Sequence, residues 1–345
     1  MTWEDRFIQE SELAGYLESS EATFSQRVKA LVLHQREHWP LMREGYKAFT
    51  AIETKGLSVA EAEVVAQYNP GRIRSTAAAV DQSSVAARPC FLCDSNLPPE
   101  EKGIAWRDLV VLCNPYPILA NHLSIVDRQH GAQEIKGNAR TLLELARDLG
   151  SEFFALYNGP QCGASAPDHL HFQACSSSLL PIAEHLFDEE PALSEDCSTC
   201  EETASNTFEL FTLGRCGRTV VVFRGGNLDE LEQWIYRVLD ELGRLSSSVE
   251  PMMNIVTVYS NRLWTVYLFP RAAHRPSVYY NEGAEKLTIS PGAIDMAGVV
   301  VVPERSHFEK LDDATMSLIY REVSFDEEAI NQMLDWMTSS EELLW

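Results

Sequence analysis

Residues 157–174 read Y-N-G-P-Q-C-G-A-S-A-P-D-H-L-H-F-Q-A, and the interpretation of the whole chain turns on them. In His169-Leu170-His171-Phe172-Gln173, polar and apolar residues alternate with period two. A β-strand there puts His169, His171 and Gln173 on one face and turns Leu170 and Phe172 into the body of the protein. The preceding turn is built from Gly159, Gly163, Ala164, Ser165 and Pro167, small residues that let backbone N–H groups approach a phosphate. Two imidazoles and an amide on one strand face, beside a phosphate-sized turn, point to phosphoryl or nucleotidyl transfer through histidine. The plainer alternative is a half-exposed polar strand face, because histidine is commonly intermediate in burial.

The flanking segments supply context. Asp108–Pro117 reads as a strand running into a Pro-rich turn, and Asn121–Asp127 as the next strand, ending in Arg128-Gln129-His130. Asn138–Leu149 is predicted helical, with Leu142, Leu145, Ala146 and Leu149 as its buried stripe, and Phe153–Tyr157 is a further strand. Strand, strand, helix, strand, strand implies an α+β fold with a mostly antiparallel sheet and flanking helices. Further on, strand Arg218–Arg224, helix Leu228–Leu245 and strands Met253–Tyr259 and Leu263–Pro270 repeat that layout, which suggests a duplication. Strand Val299–Pro303 and a helix around Glu327–Met337 complete the chain.

The expected division is an N-terminal helical region at 1–62, a first half at 63–180, an acidic linker at 181–207 and a second half at 208–345. The helical region includes Phe24–His34 and a segment Leu57–Val65 with Ser58 as its cap. His34 and His38, four apart, read as a solvated helix face, and Arg72 and Arg74 as surface residues within reach of a phosphate.

Acidic residues outnumber basic ones 51 to 28 in 345 residues, a formal charge of −23, which argues against nucleic acid or anionic lipid as a partner. A small anionic substrate then needs a locally basic or metal-rich pocket. The sequence shows no secretory signal and no apolar run long enough to span a bilayer. Eight cysteines without an export signal fit a reducing cytoplasm, as thiols or metal ligands. The pair in Cys90-Phe91-Leu92-Cys93 has the spacing of half a tetrahedral zinc site, with a redox pair or two core thiols as alternatives. Cys90, Cys93, His130 and His169 would complete a Cys₂His₂ site; Cys197 and Cys200 would instead complete a Cys₄ site.

These residues resemble the transferase branch of the histidine-triad superfamily. The run H-L-H-F-Q at 169–173 resembles the H-x-H-x-Q of galactose-1-phosphate uridylyltransferases and diadenosine tetraphosphate phosphorylases. Asn114–His122 resembles the phosphorylases' N-K-F-x-x-x-x-N-H, and Gly163-Ala164-Ser165 their phosphate turn. Arg88–Cys93 and Ser290–Val299 are similar to motifs of an uncharacterised bacterial group. The resemblance implies two histidine-triad-like halves and structural Zn²⁺ on Cys90, Cys93, His130 and His169, with Mg²⁺ accompanying the nucleotide. It implies His171 as nucleophile, Gln173 as donor to a phosphate oxygen, and Ser165 and Gly163 around the phosphates. Asn114 and Asn158 would position the nucleotide or the histidine; Arg271, His274 and Arg275 are candidates for the acceptor phosphate. The partners implied are a nucleotide or nucleotide sugar, then phosphate or a sugar phosphate, with a homodimer as the assembly. Hydrolysis of a nucleotide and non-catalytic nucleotide binding are the alternatives.

Overall fold

A computed structural model describes residues 2–19, 21–77, 82–189, 208–246 and 250–341. Its main element is a nine-stranded sheet with consistently antiparallel pairing. The first half contributes β3 (Ile104–Trp106), β4 (Leu109–Cys113), β5 (Leu123–Asp127), β6 (Phe153–Asn158) and β7 (His171–Ser176). The second contributes β8 (Glu209–Thr212), β9 (Val221–Gly225), β10 (Met253–Ser260) and β11 (Leu263–Pro270). Their spatial order is β3-β4-β5-β7-β6-β10-β11-β9-β8. From β4 to β8 that order is a palindrome about the β6–β10 pair. Each half runs strand, strand, helix, strand, strand, with helix Ala139–Leu149 in one and helix Leu228–Ser246 in the other. The two halves thus repeat one topology.

Alternation along each strand sends side chains to two layers. Val111, Ile125, Phe172, Phe223, Ile255 and Val266 point to one layer, covered by the two crossover helices and helix Phe24–His38. Phe154, Leu156, Val222, Val256 and Tyr267 point to the other. There a second sheet of β1 (Glu53–Val59), β2 (Ala62–Tyr68) and β12 (Val299–Val302) closes over them. The corresponding face of the first half carries Val110, Leu112 and Val126, packed against the loop bearing Cys90, Leu92 and Leu97. The cover there is a loop rather than a sheet, and this is where cavities open.

Several expectations change. Leu57–Val65 is not a helix; it lies across the β1–β2 hairpin, so a boundary at residue 62 would cut that hairpin. The alternation of buried Leu57 and Val59, then Ala62, Val64 and Ala66, has period two, and it outweighs the helix propensity of the Ala/Glu residues. The hairpin's other partner, β12, pairs in parallel from more than 230 residues away, beyond any local signal. His34 is buried, stacked on the exposed His38 at 4.1 Å. Of the expected linker, Pro181–Glu189 is helical, and residues 190–207, with Cys197 and Cys200, lie outside the described residues. No described helix is long and apolar enough to cross a membrane.

Candidate active site

The site grows from the point where β6 and β7 part. Their ladder ends at the Leu156–Gln173 pair, so Asn158 and His171 do not pair directly. Gln133, 1% exposed, fills the gap. Its Nε2 donates to the carbonyls of Asn158 (3.0 Å) and His171 (2.9 Å), and its Oε1 accepts from the His171 N–H at 2.8 Å. A side chain thus completes the backbone hydrogen bonding that the splayed strands cannot make for themselves. The twelve residues between the strands form the loop on which the site depends.

His171 is 5% exposed and lies on the wall of a cavity of about 410 Å³, shared with Gln173, Ser165 and Asn114. Its Nδ1 lies 2.7 Å from the carbonyl of His169, which can only accept, so Nδ1 carries the proton and Nε2 the lone pair. Burial brings the ring down to about 4, so it is neutral at pH 7.

Gln173 is oriented by a residue that motif reasoning quoted without assigning a role. His122, wholly buried, accepts the Ile118 N–H on Nδ1 at 3.2 Å and donates Nε2–H to Gln173 Oε1 at 2.8 Å. Burial, with Arg72 nearby, holds this imidazole down at about 3, fixing it as a neutral donor. With Oε1 occupied by His122, the Gln173 amide keeps its N–H groups for the cavities it lines. The sequence signal for His122 is its place beside Asn121, just before β5; Gln133 has none.

Below the histidine strand, ligand atoms of Cys90, Cys93, His130 and His169 lie within 4.8 Å of one another. Cys90 Sγ is 3.2 Å from His169 Nδ1, and Cys93 Sγ is 3.4 Å from His130 Nδ1 and 3.6 Å from His169 Nδ1. Both rings turn Nδ1 to the thiols and Nε2 to an oxygen: His169 to the Asp127 carbonyl at 2.8 Å, His130 to the Asp168 carboxylate at 3.9 Å. Oxygen behind each imidazole is the usual support of a metal-binding histidine. His169 lies just before β7 begins and faces the thiols, while His171 and Gln173 face the cavities.

A smaller polar cavity of about 60 Å³ adjoins the first and shares Arg72, Ser75, Ser165 and Gln173 with it. Asn158, Gly163, His274 and Arg275 line it, whereas Arg271 does not. Arg271 is fully buried, and its guanidinium donates to the Val323, Pro291, Ala273 and His274 carbonyls and to Asn254 Oδ1. All five donors are occupied, so it braces the loop after β11 and has none left for a phosphate. Asn158 also has a bracing role: its Oδ1 accepts from Asn254 at 2.8 Å and from the Ala293 N–H at 2.7 Å. Gly163 has φ +99°, and a Cβ there would stand 2.9 Å from the Gly292 Cα. Its smallness therefore serves the approach of the two halves. Arg72, expected at the surface, stands at the junction of the cavities and bonds the Tyr116 carbonyl at 3.1 Å.

The fold is shared with solved phosphorylase structures. The structure is similar to that of yeast Ap4A phosphorylase Apa2 in complex with AMP, at 16% identity and TM-score 0.54, over 83% of this chain and 96% of that one. Against the same yeast enzyme in complex with Ap4A, identity is 14% and TM-score 0.55, over 83% and 97%. Residues 31–176 match a family described as a domain of unknown function, DUF4922. No curated protein matches the chain.

Proposed function

We propose that the protein is a nucleotidyltransferase that moves a nucleoside monophosphate through His171 to phosphate or a sugar phosphate. The observation that carries this is the tautomer: Nδ1 bonds the His169 carbonyl, leaving the Nε2 lone pair of a cavity-lining, neutral ring. In the first step Nε2 attacks the α-phosphorus, the N–P bond forms and the P–O bond to the leaving phosphate breaks. In the second, a phosphate oxygen attacks the same phosphorus and the N–P bond breaks; with inorganic phosphate the product is a nucleoside diphosphate. Covalent capture divides one hard displacement into two easier ones. The amide of Gln173 and the turn at Ser165 would hold the phosphate oxygens, and Asn114 the nucleoside. Gln173 cannot relay protons to water as a third histidine could, which favours transfer over hydrolysis. Arg72, His274 and Arg275, around the polar cavity, would receive the acceptor, with Mg²⁺ travelling on the nucleotide.

The donor set fits Zn²⁺. A tetrahedral site with bonds of about 2.0–2.3 Å has edges of about 3.3–3.8 Å, close to the sulfur–nitrogen spacings here. Zinc would supply structure, holding His169 so that its carbonyl fixes the His171 tautomer. The yeast structures of this fold hold AMP and Ap4A, in keeping with a nucleotide ligand.

Incubation with α-³²P nucleotides tests the reading. Wild type is expected to carry base-stable, acid-labile label discharged faster by phosphate or a sugar phosphate than by water, and His171→Ala none. Discharge by water alone would make the protein a hydrolase. No labelling from any nucleotide or nucleotide sugar would end the enzymatic reading.

A further inference from the structure

Glu101 lines the larger cavity, is 7% exposed, and makes no hydrogen bond or ion pair through its carboxyl among the described residues. Its neighbour Arg6, 2% exposed, does not take it: every guanidinium donor goes to a carbonyl, of Asp94, Leu97, Pro98 or Glu101 itself. Arg6 thereby builds the wall from Asp94 to Glu101 and leaves a positive charge near a carboxyl with no partner. A carboxyl removed from bulk water without a partner is costly, and one that faces a cavity points to a ligand.

The place of Glu101 says which part of a nucleotide reaches it. Gln173 pairs with Ser124, Ser124 with Leu112, and a Cβ on Gly103 would touch the Leu112 side chain, two residues from Glu101. Three strand spacings separate the two ends of that row, about 14 Å. With an α-phosphate at His171 and Gln173, a ribose hydroxyl covers only part of the distance, and the far edge of a purine covers it. The apolar walls between, including Leu41, Phe91, Leu112 and Pro115, suit a flat ring.

We propose that Glu101 recognises the Watson–Crick edge of guanine, its two carboxylate oxygens accepting from N1–H and from the exocyclic amine. Of the four bases, only guanine presents two adjacent donors there; adenine and cytosine set a ring-nitrogen lone pair beside their amine. Burial pushes the empty carboxyl up to about 8 against the pull of Arg6, and two N–H donors favour the charged form.

The inference rests on this cavity taking the donor nucleotide, and its test is binding, which needs no chemistry. Full-length His171→Ala is titrated calorimetrically with GDP, ADP, IDP and 2′-deoxy-GDP, with and without Glu101→Gln. GDP is expected to bind at least about tenfold tighter than ADP, with IDP, which lacks the amine, in between and 2′-deoxy-GDP close to GDP. Glu101→Gln should weaken GDP about tenfold or more and leave ADP within about threefold, with an unchanged melting temperature. Equal affinity for GDP and ADP overturns the proposal, as does a larger loss for 2′-deoxy-GDP than for ADP, which would put the carboxylate on the ribose. Should Glu101→Gln melt early, the GDP, IDP and ADP series on the parent decides alone. Guanine-selective binding without any histidine labelling in wild type would keep Glu101 and discard the transfer reaction.

Discussion

The two halves share one topology and do opposite things with it. The β6–β10 register pairs Leu156 with Val256; Gln173 lies beside the first and Tyr267 beside the second. Counting along the strands, Thr265 stands where His171 does, and Val220 where His122 does. In the second half β10 and β11 are joined by the two residues Asn261 and Arg262, both at positive φ as a tight hairpin requires. Twelve residues join β6 and β7. The tight turn permits full pairing, and Tyr267 and Val220 are sealed under the small β1-β2-β12 sheet. The long loop leaves the ladder open, so the first half must hold its strands by other means: Gln133 between them, the Cys–His cluster at one side, His122 behind Gln173. A site needs polar groups facing a cavity, and the half that gave up regular pairing supplies His171 and Gln173 to one.

The largest effect should come from removing the cluster, because the second half needs no equivalent. Cys90→Ser is expected to lose a metal bound at one per chain and to lower the melting temperature by about 5–10 °C, since metal affinity at a structural site is folding energy. Metal analysis and calorimetry read both. Cys197→Ser should keep its metal; loss there would favour the Cys₄ arrangement and break the comparison. Next comes His122→Val, which gives the first half its partner's residue. Without the imidazole donor, Gln173 can turn its oxygen to the cavity, and nucleotidyl-histidine formation should slow about 10- to 100-fold while metal content stays at wild-type level. An unchanged labelling rate would mean that Gln173 is oriented by something else.

How far these features could be read beforehand follows from the range of the interactions behind them. The repeat of strand, strand, helix, strand, strand and the alternation from His171 to Gln173 are local patterns, and both survive in the structure, whereas His169 falls before the strand and turns to the thiols. The Cys90 and Cys93 spacing was visible, but its partnership with His130 and His169 needed a resemblance to be singled out. Gln133 left no trace, because its work depends on a gap in a ladder that exists only after folding. Arg271 reads from the sequence as a candidate for the acceptor phosphate; burial and five occupied donors give it a structural role that charge alone does not announce. The β1–β2 hairpin was hidden by residues of good helix propensity, and its partner β12 is too distant in the chain to signal.

A third effect is expected at the seam where the halves touch. Gly163 from one half and Gly292 from the other approach so closely that a Cβ on residue 163 would fall 2.9 Å from backbone, and φ +99° strains any other residue there. Gly283 offers the control: its φ is +56°, with nothing within 4 Å of an added Cβ. Gly163→Ala should cost about 2–3 kcal/mol in chemical denaturation, and Gly283→Ala about 1 kcal/mol, the difference being the contact between halves. Because Gly163 also lines the polar cavity, the contact predicts a second result: discharge of labelled His171 by phosphate should slow in Gly163→Ala and not in Gly283→Ala. Equal costs for the two would show that the loops at 163 and 292 part freely, and that the seam adds nothing to the site.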